Sequence, residues 1–189
     1  SMSAYSSHPL DALGFLRLEQ PDSILQFSKY FYRPGALLDE RVVIRRSLDQ
    51  VTESWVEHEI GSLPCGWELA LDSTVLVGNG IQSHIPMVDF SASLKEIILD
   101  SSRARLASDD ILAGAMYFES GRGVHGYGQT LLSNVEWVRF MGRMLLVNER
   151  SAPCLVDTRW VGHRLMGGYG WLRWSWRTSA YIASPRRVA

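Results

Sequence analysis

A short glycine-containing turn brings Arg122 and His125 to the end of an apolar segment, residues 115–118. Glycines let the backbone of such a turn approach an anion closely, because they have no side chain. The guanidinium group of arginine offers several donors in one plane, and imidazole adds a donor whose charge changes near neutral pH. The turn therefore suits a phosphate group, although short turns of this composition also occur in hairpins that bind nothing.

Two aspartates end apolar segments, one before this turn and one after it. Asp89 follows residues 85–88, and Asp157 follows Leu155 and Val156. An aspartate at a strand end lies at the rim of the core, where its oxygens can bind a hard cation such as Mg²⁺. Each aspartate can instead end its strand or cap the next helix. The order of carboxylate, cationic turn and carboxylate favours one shared site.

This order resembles the catalytic core of the archaeo-eukaryotic primase superfamily, over about residues 80–185. Members of that superfamily have Asp-x-Asp on a strand, then Ser-x-His on a hairpin, then an aspartate after a hydrophobic residue. The resemblance implies that Asp89 and Asp157 are catalytic ligands of Mg²⁺ or Mn²⁺, and that His125 contacts the phosphates of an incoming nucleotide. A later segment, residues 172–175, resembles the one from which an arginine approaches the nucleotide. The implied nucleotide-binding residues are Ser120, Arg122, His125 and Arg173.

One position departs from the pattern of the superfamily, because residues 89–91 read Asp-Phe-Ser. Ser91 replaces the second carboxylate, and a neutral hydroxyl is a poor ligand for Mg²⁺. Two-metal phosphoryl transfer needs carboxylates that bridge both ions. The sequence is therefore similar to the one-aspartate, primase-like group, which implies weak or absent cation binding and impaired polymerase chemistry. Glu119, beside the turn, can replace the missing carboxylate or can be a solvated hairpin residue.

The C-terminal segment combines arginines with aromatic residues. It has no acidic residue after Asp157, whereas the whole chain has a net charge of −1. Such a segment suits single-stranded nucleic acid, because bases stack on rings and phosphates pair with guanidinium groups. It equally suits a protein interface or core packing. Its arginines and aromatic residues are Arg159, Arg164, Arg173, Arg177, Arg186, Arg187, Trp160, Trp171, Trp174, Trp176, Tyr169 and Tyr181.

Length and composition predict one domain. The chain has 189 residues, of which 46% are hydrophobic, enough for one substantial core. Residues 1–10 are predicted to be a flexible lead-in that includes an expression scar, Ser1-Met2, and residues 11–189 form the domain. No apolar run approaches the length of a membrane span and no signal peptide is recognisable, so we expect a cytoplasmic protein without membrane contact. The spacing of Cys65 and Cys154 predicts reduced, buried thiols.

The other histidines lack a metal-binding spacing. His58 lies in a charged helix face, where solvation is the simpler interpretation. His84 and His163 stand near the two aspartates in sequence and can line the same cleft. Without a shared short spacing, we expect structural or solvent-facing roles for these residues.

The pattern of elements predicts an α+β fold, an antiparallel or mixed sheet with packed helices. The family resemblance implies a primase-like palm that is similar to an RNA-recognition-motif sheet. Strands are predicted at residues 14–19, 41–46 and 67–77, an aromatic element of undetermined type at 23–32, and a turn at 79–80.

Four helices are predicted. The first begins at Asp49 as N-cap and ends near Gly61, and a second covers residues 94–101. A longer helix should pack on the sheet through a stripe of apolar residues. Asp157 can cap the last helix, which ends at residues 167–168. The stripe of the longer helix comprises Leu131, Val135, Val138, Met141 or Gly142, and Leu145.

Three functions follow from these observations. The favoured one is a catalytically impaired, primase-like binding module that keeps a cleft for a nucleoside triphosphate or single-stranded nucleic acid, within a bacterial defence or mobile-element complex. The second is an active, metal-dependent primase-polymerase that uses Asp89 and Asp157, with Glu119 as a substitute ligand. The third is a scaffold that binds a protein partner through the Trp/Arg-rich C-terminal segment.

Overall fold

Two antiparallel sheets with flanking helices make up the part of the chain that the computed structural model describes, which is residues 8–35, 40–98, 110–181 and 183–189. Every strand pairing within these ranges is antiparallel. The predicted α+β class is therefore confirmed. The division into two sheets is a feature that the sequence pattern did not indicate.

The first sheet is built around a long central strand, β3. The order of the strands in this sheet is β2-β1-β3-β4, and a strand from the C-terminal part of the chain, β8, also pairs with β3. This late pairing returns the C-terminal part of the chain to the N-terminal sheet. The strands are β1 (Ile24–Phe31), β2 (Glu40–Ser47), β3 (Trp67–Val77), β4 (Ile81–His84) and β8 (Trp171–Arg173).

The second sheet has the order β5-β7-β6-β9. Because β7 lies between β5 and β6, its residues have neighbours on both sides. The apolar residues of both sheets belong to one continuous core, which includes Phe27 of the first sheet and Phe118 of the second. The strands are β5 (Met87–Phe90), β6 (Met116–Glu119), β7 (Val124–Tyr127) and β9 (Arg186–Arg187).

Five helices flank the sheets in the described ranges, and side chains cap four of them. Thr52 caps α2, Ser93 and Glu96 form a capping box at α3, Ser133 and Glu136 form one at α4, and Asp157 caps α5. Caps of this kind satisfy backbone N–H groups that have no partner within the helix. The helices are α1 (Gly14–Glu19), α2 (Glu53–Gly61), α3 (Leu94–Ile98), α4 (Asn134–Val147) and α5 (Thr158–Gly167).

Two predictions near the N-terminus were wrong. Residues 14–19 form a helix rather than a strand, because Phe15 and Leu16 pack into the core from a helical turn that follows a 3₁₀ segment. Asp49 is not an N-cap; it lies in a separate 3₁₀ turn, and the cap of α2 is Thr52, whose hydroxyl accepts a hydrogen bond from the Trp55 N–H. Residues 1–7 of the predicted lead-in lie outside the described residues, and His8 is buried.

Most of the other elements agree with the predictions. The aromatic element at 23–32 is β1, the strands at 41–46 and 67–77 are β2 and β3, and a turn joins β3 to β4. Helix α3 begins at Leu94 as predicted, and the end predicted at residue 101 lies outside the described residues. Helix α5 ends as predicted, with Gly168 in the left-handed region at φ 85°.

The apolar face of α4 differs from the prediction. Val135 and Val138 are 65% and 53% exposed, whereas Met141 of the predicted stripe is buried, and residues outside the stripe form the rest of the face toward β4 and α5. Trp137 belongs to this buried face and stacks on the His84 ring, with centroids 4.8 Å apart. The helix is apolar on two opposite faces, so periodicity alone could not determine which one is buried. The buried residues of α4 are Trp137, Phe140, Met141, Met144 and Val147.

The two cysteines differ from the prediction in their exposure. Cys65 and Cys154 are free thiols, as expected, but both are exposed rather than buried. Each lies in a loop, outside the strands and helices that fill the core. None of the helices in the described ranges is long and apolar enough to cross a membrane.

Candidate functional site

The residues selected from the sequence meet in one cleft between the two sheets. The cleft has a volume of about 440 Å³, and segments that are distant in sequence line it. Only the tertiary fold brings them together, because they come from β5, the β6–β7 turn, the start of α5 and β8. The predicted site residues that line the cleft are Asp89, Ser91, Ser120, Arg122, His125, Asp157 and Arg173.

The strand register places Asp89 beside His125. These two residues are direct partners in the β5–β7 pairing, so their side chains emerge on the same face of the sheet. The His125 Nε2 lies 3.7 Å from the Asp89 Oδ1, which is too long for a hydrogen bond. The turn that precedes His125 is closed by a 3.0 Å bond from the Ser120 N–H to the Gly123 carbonyl. A side chain at Gly123 would overlap the carbonyl oxygen of Phe90, so the close approach of the turn to β5 requires glycine here.

Asp157 reaches the cleft because its segment runs alongside β5. Phe90 and Val156 form an isolated antiparallel bridge, and the Asp157 N–H donates to the Asp89 carbonyl at 2.9 Å. The Asp157 Oδ1 also accepts a 3.0 Å hydrogen bond from the Trp160 N–H. Capping of α5, predicted as one of two compatible roles, is therefore confirmed.

Burial determines the charge states of Asp89 and His125. Burial, and to a smaller extent the Arg173 guanidinium, lower the pKa of His125 to about 3, so its imidazole is neutral at pH 7. The His125 Nδ1 is buried and has no hydrogen-bond partner in the part of the chain that the structure describes. Burial and the neighbouring Asp157 raise the pKa of Asp89 to about 7, against the opposing effect of Arg164 and Arg173. The two residues therefore do not form an ion pair, and Asp89 is near its midpoint at neutral pH.

Arg173 lies in the wall of the cleft and is bound to backbone. Its guanidinium donates to the carbonyl of Ser120 at 2.9 Å and to the carbonyl of Ser175. Its carbon centre lies 4.1 Å from the centroid of the Tyr181 ring. Only 3% of this arginine is exposed. Arg173 therefore connects β8 to the glycine-containing turn, and it supplies positive charge from within the wall.

Part of the cleft comes from a segment that sequence reasoning missed. Tyr30 and Tyr32 line it from β1 and the residue that follows this strand, together with Arg33. The Tyr30 hydroxyl is 2.8 Å from that of Tyr181. The signal in the sequence was the aromatic run at residues 30–32, but nothing local connects this run to residues 89–157.

Helix α5 contributes one side of the cleft. Arg159 and His163 are four residues apart, so they lie on the same face of the helix. The Arg164 guanidinium lies 4.0 Å from the centroid of the Trp171 ring. The prediction that His163 can line the cleft is confirmed, as all three of these α5 side chains do so.

Three other candidate residues lie outside this cleft. Glu119 is about half exposed and lies 3.8 Å from Arg186 on β9, so it does not replace the missing carboxylate. His84 is buried, with its Nδ1 2.8 Å from the Ser73 hydroxyl and its Nε2 2.7 Å from the Asn134 side-chain oxygen. This histidine therefore has a structural role, and His58 is exposed on α2.

The donor set of the cleft does not fit a two-metal site. Asp89 and Asp157 are its only carboxylates among the described residues, and Asp157 caps α5. Ser91 stands where the pattern of the superfamily has the second carboxylate of Asp-x-Asp. Its hydroxyl lies 3.4 Å from the Leu155 carbonyl, to which it donates. No group of three or more His, Cys, Asp or Glu side chains in the described ranges could hold a metal ion. That Asp89 and Asp157 bind a single cation therefore stays a prediction.

The arginines and aromatic residues of the C-terminal segment divide among the three roles considered for it. Trp174 is fully buried and Trp160 is 9% exposed, so both belong to the core. Arg159 lines the cleft. Arg177 donates to the carbonyls of α2 and the loop after it, and Trp176 is 54% exposed. Core packing and the cleft therefore account for most of this segment.

Comparison with known proteins agrees with this geometry. The family model described as archaeo-eukaryotic primase 1D-like matches residues 47–186, which is well over half of the chain. The matched range includes Asp89, His125, Asp157 and Arg173, and it excludes Tyr30 and Tyr32. No curated protein and no solved structure matches the chain. The extent of the family match shows that the chain belongs to the archaeo-eukaryotic primase 1D-like family.

Proposed function

We propose that this primase-like domain binds a nucleoside triphosphate in the cleft and has little or no polymerase activity. The observation that carries the proposal is the meeting of Asp89, His125, Arg122 and Arg173 around one cleft, with Ser91 at the position of a lost carboxylate. The volume of about 440 Å³ lies within the range of small-molecule sites, roughly 300–1,000 Å³. This favours a single nucleotide over a long nucleic-acid strand.

The chemistry of the walls supports the same ligand. Arg122 is exposed on the turn, where its planar fork can donate to phosphate oxygens. The buried Nδ1 of His125 has no hydrogen-bond partner among the described residues and is a candidate polar contact for the ligand. Tyr32, which is 37% exposed and also lines the cleft, offers an aromatic ring. Bases of any identity can stack on such a ring.

Calorimetric titration of the full chain with ATP and GTP, with and without Mn²⁺, tests binding. We expect both nucleotides to bind, and His125→Ala and Arg122→Ala to weaken binding by about 1–3 kcal/mol each, because each removes a polar contact to phosphate. Arg139→Ala, which removes an exposed arginine of α4 outside the cleft, is the matched control. Unchanged affinity in both site variants would contradict the assignment of the site.

Primer synthesis on a single-stranded template, in the same preparation, tests the catalytic alternative. We expect no synthesis, because two carboxylates do not provide the bridging ligands of a two-metal reaction. Synthesis that disappears in Asp89→Ala would instead support an active primase-polymerase. Binding of the template strand but not of nucleotides would make single-stranded nucleic acid the ligand, and binding of neither would favour the scaffold function.

A further inference from the structure

Positive charge exceeds negative charge in the cleft. Five arginines and two aspartates line it, and the described lining residues include no lysine or glutamate. Two of these arginines, Arg164 and Arg173, act on the charge of Asp89, which is one of the two predicted cation ligands. A further cation beside Asp89 would therefore be repelled by guanidinium groups already present. The five arginines are Arg33, Arg122, Arg159, Arg164 and Arg173.

Arg159 lies at the start of its helix. It is the second residue of α5, which follows the Asp157 cap and has no acidic residue in its first turn. The positive end of the helix dipole disfavours a cation at this position. Arg159 nevertheless lines the cleft there, four residues before His163. The start of α5 thus places a guanidinium group in the cleft next to the Asp157 cap, and this guanidinium group would attract an anion in the cleft.

Arg122 provides positive charge from another part of the cleft. It lies on the β6–β7 turn and is exposed, as is Arg159. Arg173 and Arg164 lie behind them, with their guanidinium groups on the Tyr181 and Trp171 rings. The inner pair of arginines is therefore ordered by the wall, and the outer pair is exposed to a ligand that enters from solvent.

On the basis of the proposed function, we propose that Arg122 and Arg159 hold the triphosphate of the nucleotide directly, without a divalent cation. In two-metal enzymes, cations bridge the phosphates to carboxylates and neutralise their charge. Here guanidinium groups provide the neutralising charge, and each can donate two parallel hydrogen bonds to phosphate oxygens. Ser91 suits this arrangement because a carboxylate at its position would add repulsion toward the triphosphate. Arg159 is thereby assigned as a phosphate-contact residue.

Calorimetric titration of the full chain with ATP, in EDTA and then in excess Mg²⁺, tests this inference. We expect binding in EDTA, with an equal or weaker affinity in Mg²⁺, because Mg²⁺ neutralises the phosphates that the arginines recognise. Binding that requires Mg²⁺, or that Mg²⁺ strengthens tenfold or more, would overturn the inference and leave the proposed function standing. Absence of binding in both buffers would overturn both.

Two variants in EDTA identify the contacts. We expect Arg159→Gln and Arg122→Gln each to raise the Kd for ATP by roughly tenfold or more, because each removes a charged hydrogen-bond donor. Arg139→Gln should leave the Kd unchanged, since Arg139 is exposed on α4 outside the cleft. An unchanged Kd in Arg159→Gln would overturn the assignment of Arg159. Circular dichroism of each variant verifies that the fold is retained.

A third variant adds a negative charge to the cleft. Ser91→Asp restores the missing carboxylate, so it should weaken ATP binding in EDTA and should make Mg²⁺ strengthen it. Equal affinities for the variant and the parent protein in EDTA would show that position 91 does not face the phosphates, contrary to the inference. If Ser91→Asp does not fold, the Kd values of Arg159→Gln and Arg122→Gln, compared with that of Arg139→Gln, decide the inference.

Discussion

One residue of the first sheet, Asp72, has a carboxyl group that is costly to bury. Asp72 of β3 is fully buried and accepts hydrogen bonds from the Gln26 amide at 2.8 Å and from the Ser28 hydroxyl at 2.7 Å. Burial raises the pKa of Asp72 to about 6, although both hydrogen bonds act in the opposite direction. The folded protein therefore binds a proton at Asp72 more tightly than the unfolded chain does.

This shift predicts how stability depends on pH. The favourable contribution of protonated Asp72 is complete below the unfolded pKa, near 4, and is lost as pH rises through about 6. The free energy of unfolding of the parent protein, relative to that of Asp72→Asn, should fall by about 2 kcal/mol between pH 4 and pH 7. Urea denaturation of both proteins across this range measures the difference. A difference independent of pH would contradict the raised pKa.

At the scale of elements, α4 shows why helical periodicity is ambiguous. Val135, Val138 and Leu146 form an apolar face directly opposite the buried one, and Leu146 is 80% exposed. A repeat of apolar residues is present on both faces, and only contact with β4 and α5 determines which of them is buried. Gly142 lies on the exposed side, and a side chain there would meet no atom within 4 Å.

Substitutions on the two faces of α4 should therefore differ strongly. Met144→Ala, on the buried face, should reduce the free energy of unfolding by about 2–5 kcal/mol, because it leaves a cavity. Val138→Ala, on the exposed face, should change it by no more than about 0.5 kcal/mol. Chemical denaturation measures both variants. A larger cost for Val138→Ala than for Met144→Ala would mean that the faces are assigned the wrong way round.

At the scale of the whole molecule, Trp174 joins the two sheets. Its ring contacts the Phe27 ring of the first sheet, with centroids 5.4 Å apart, and its indole N–H donates to the Tyr127 hydroxyl of the second sheet at 3.2 Å. The His8 ring packs on its edge and places a nitrogen 2.9 Å from its carbonyl oxygen. The cleft lies between elements of the same two sheets, so its shape depends on this contact.

Removal of the Trp174 indole should weaken the contact between the two sheets. We expect Trp174→Phe to reduce the free energy of unfolding by roughly 1–3 kcal/mol, because it loses volume and leaves the buried Tyr127 hydroxyl without its donor. Trp176→Phe, at a half-exposed position two residues later, is the control and should cost no more than about 0.5 kcal/mol. Equal effects of the two substitutions in a urea titration would argue against Trp174 as the junction.

Much of the fold and site could be predicted from short stretches of sequence. The order of Asp89, the Arg122 turn and Asp157 indicated the family, and local chemistry indicated the cap of α5 and its glycine end. The cap and the glycine end depend on residues within a few positions of one another, so side-chain capping and backbone conformation determine them locally. Each family motif is likewise a short segment, although the three motifs lie far apart in the sequence. The α+β class was predictable for the same reason.

The tertiary structure alone decided which surfaces meet. It brought Tyr32 of the N-terminal sheet and Arg159 of α5 into the cleft, excluded Glu119 from it, and selected the buried face of α4. None of these outcomes follows from local pattern, because each depends on pairings between segments far apart in sequence. Burial is a property of two surfaces in contact, and the sequence of one segment does not specify the other.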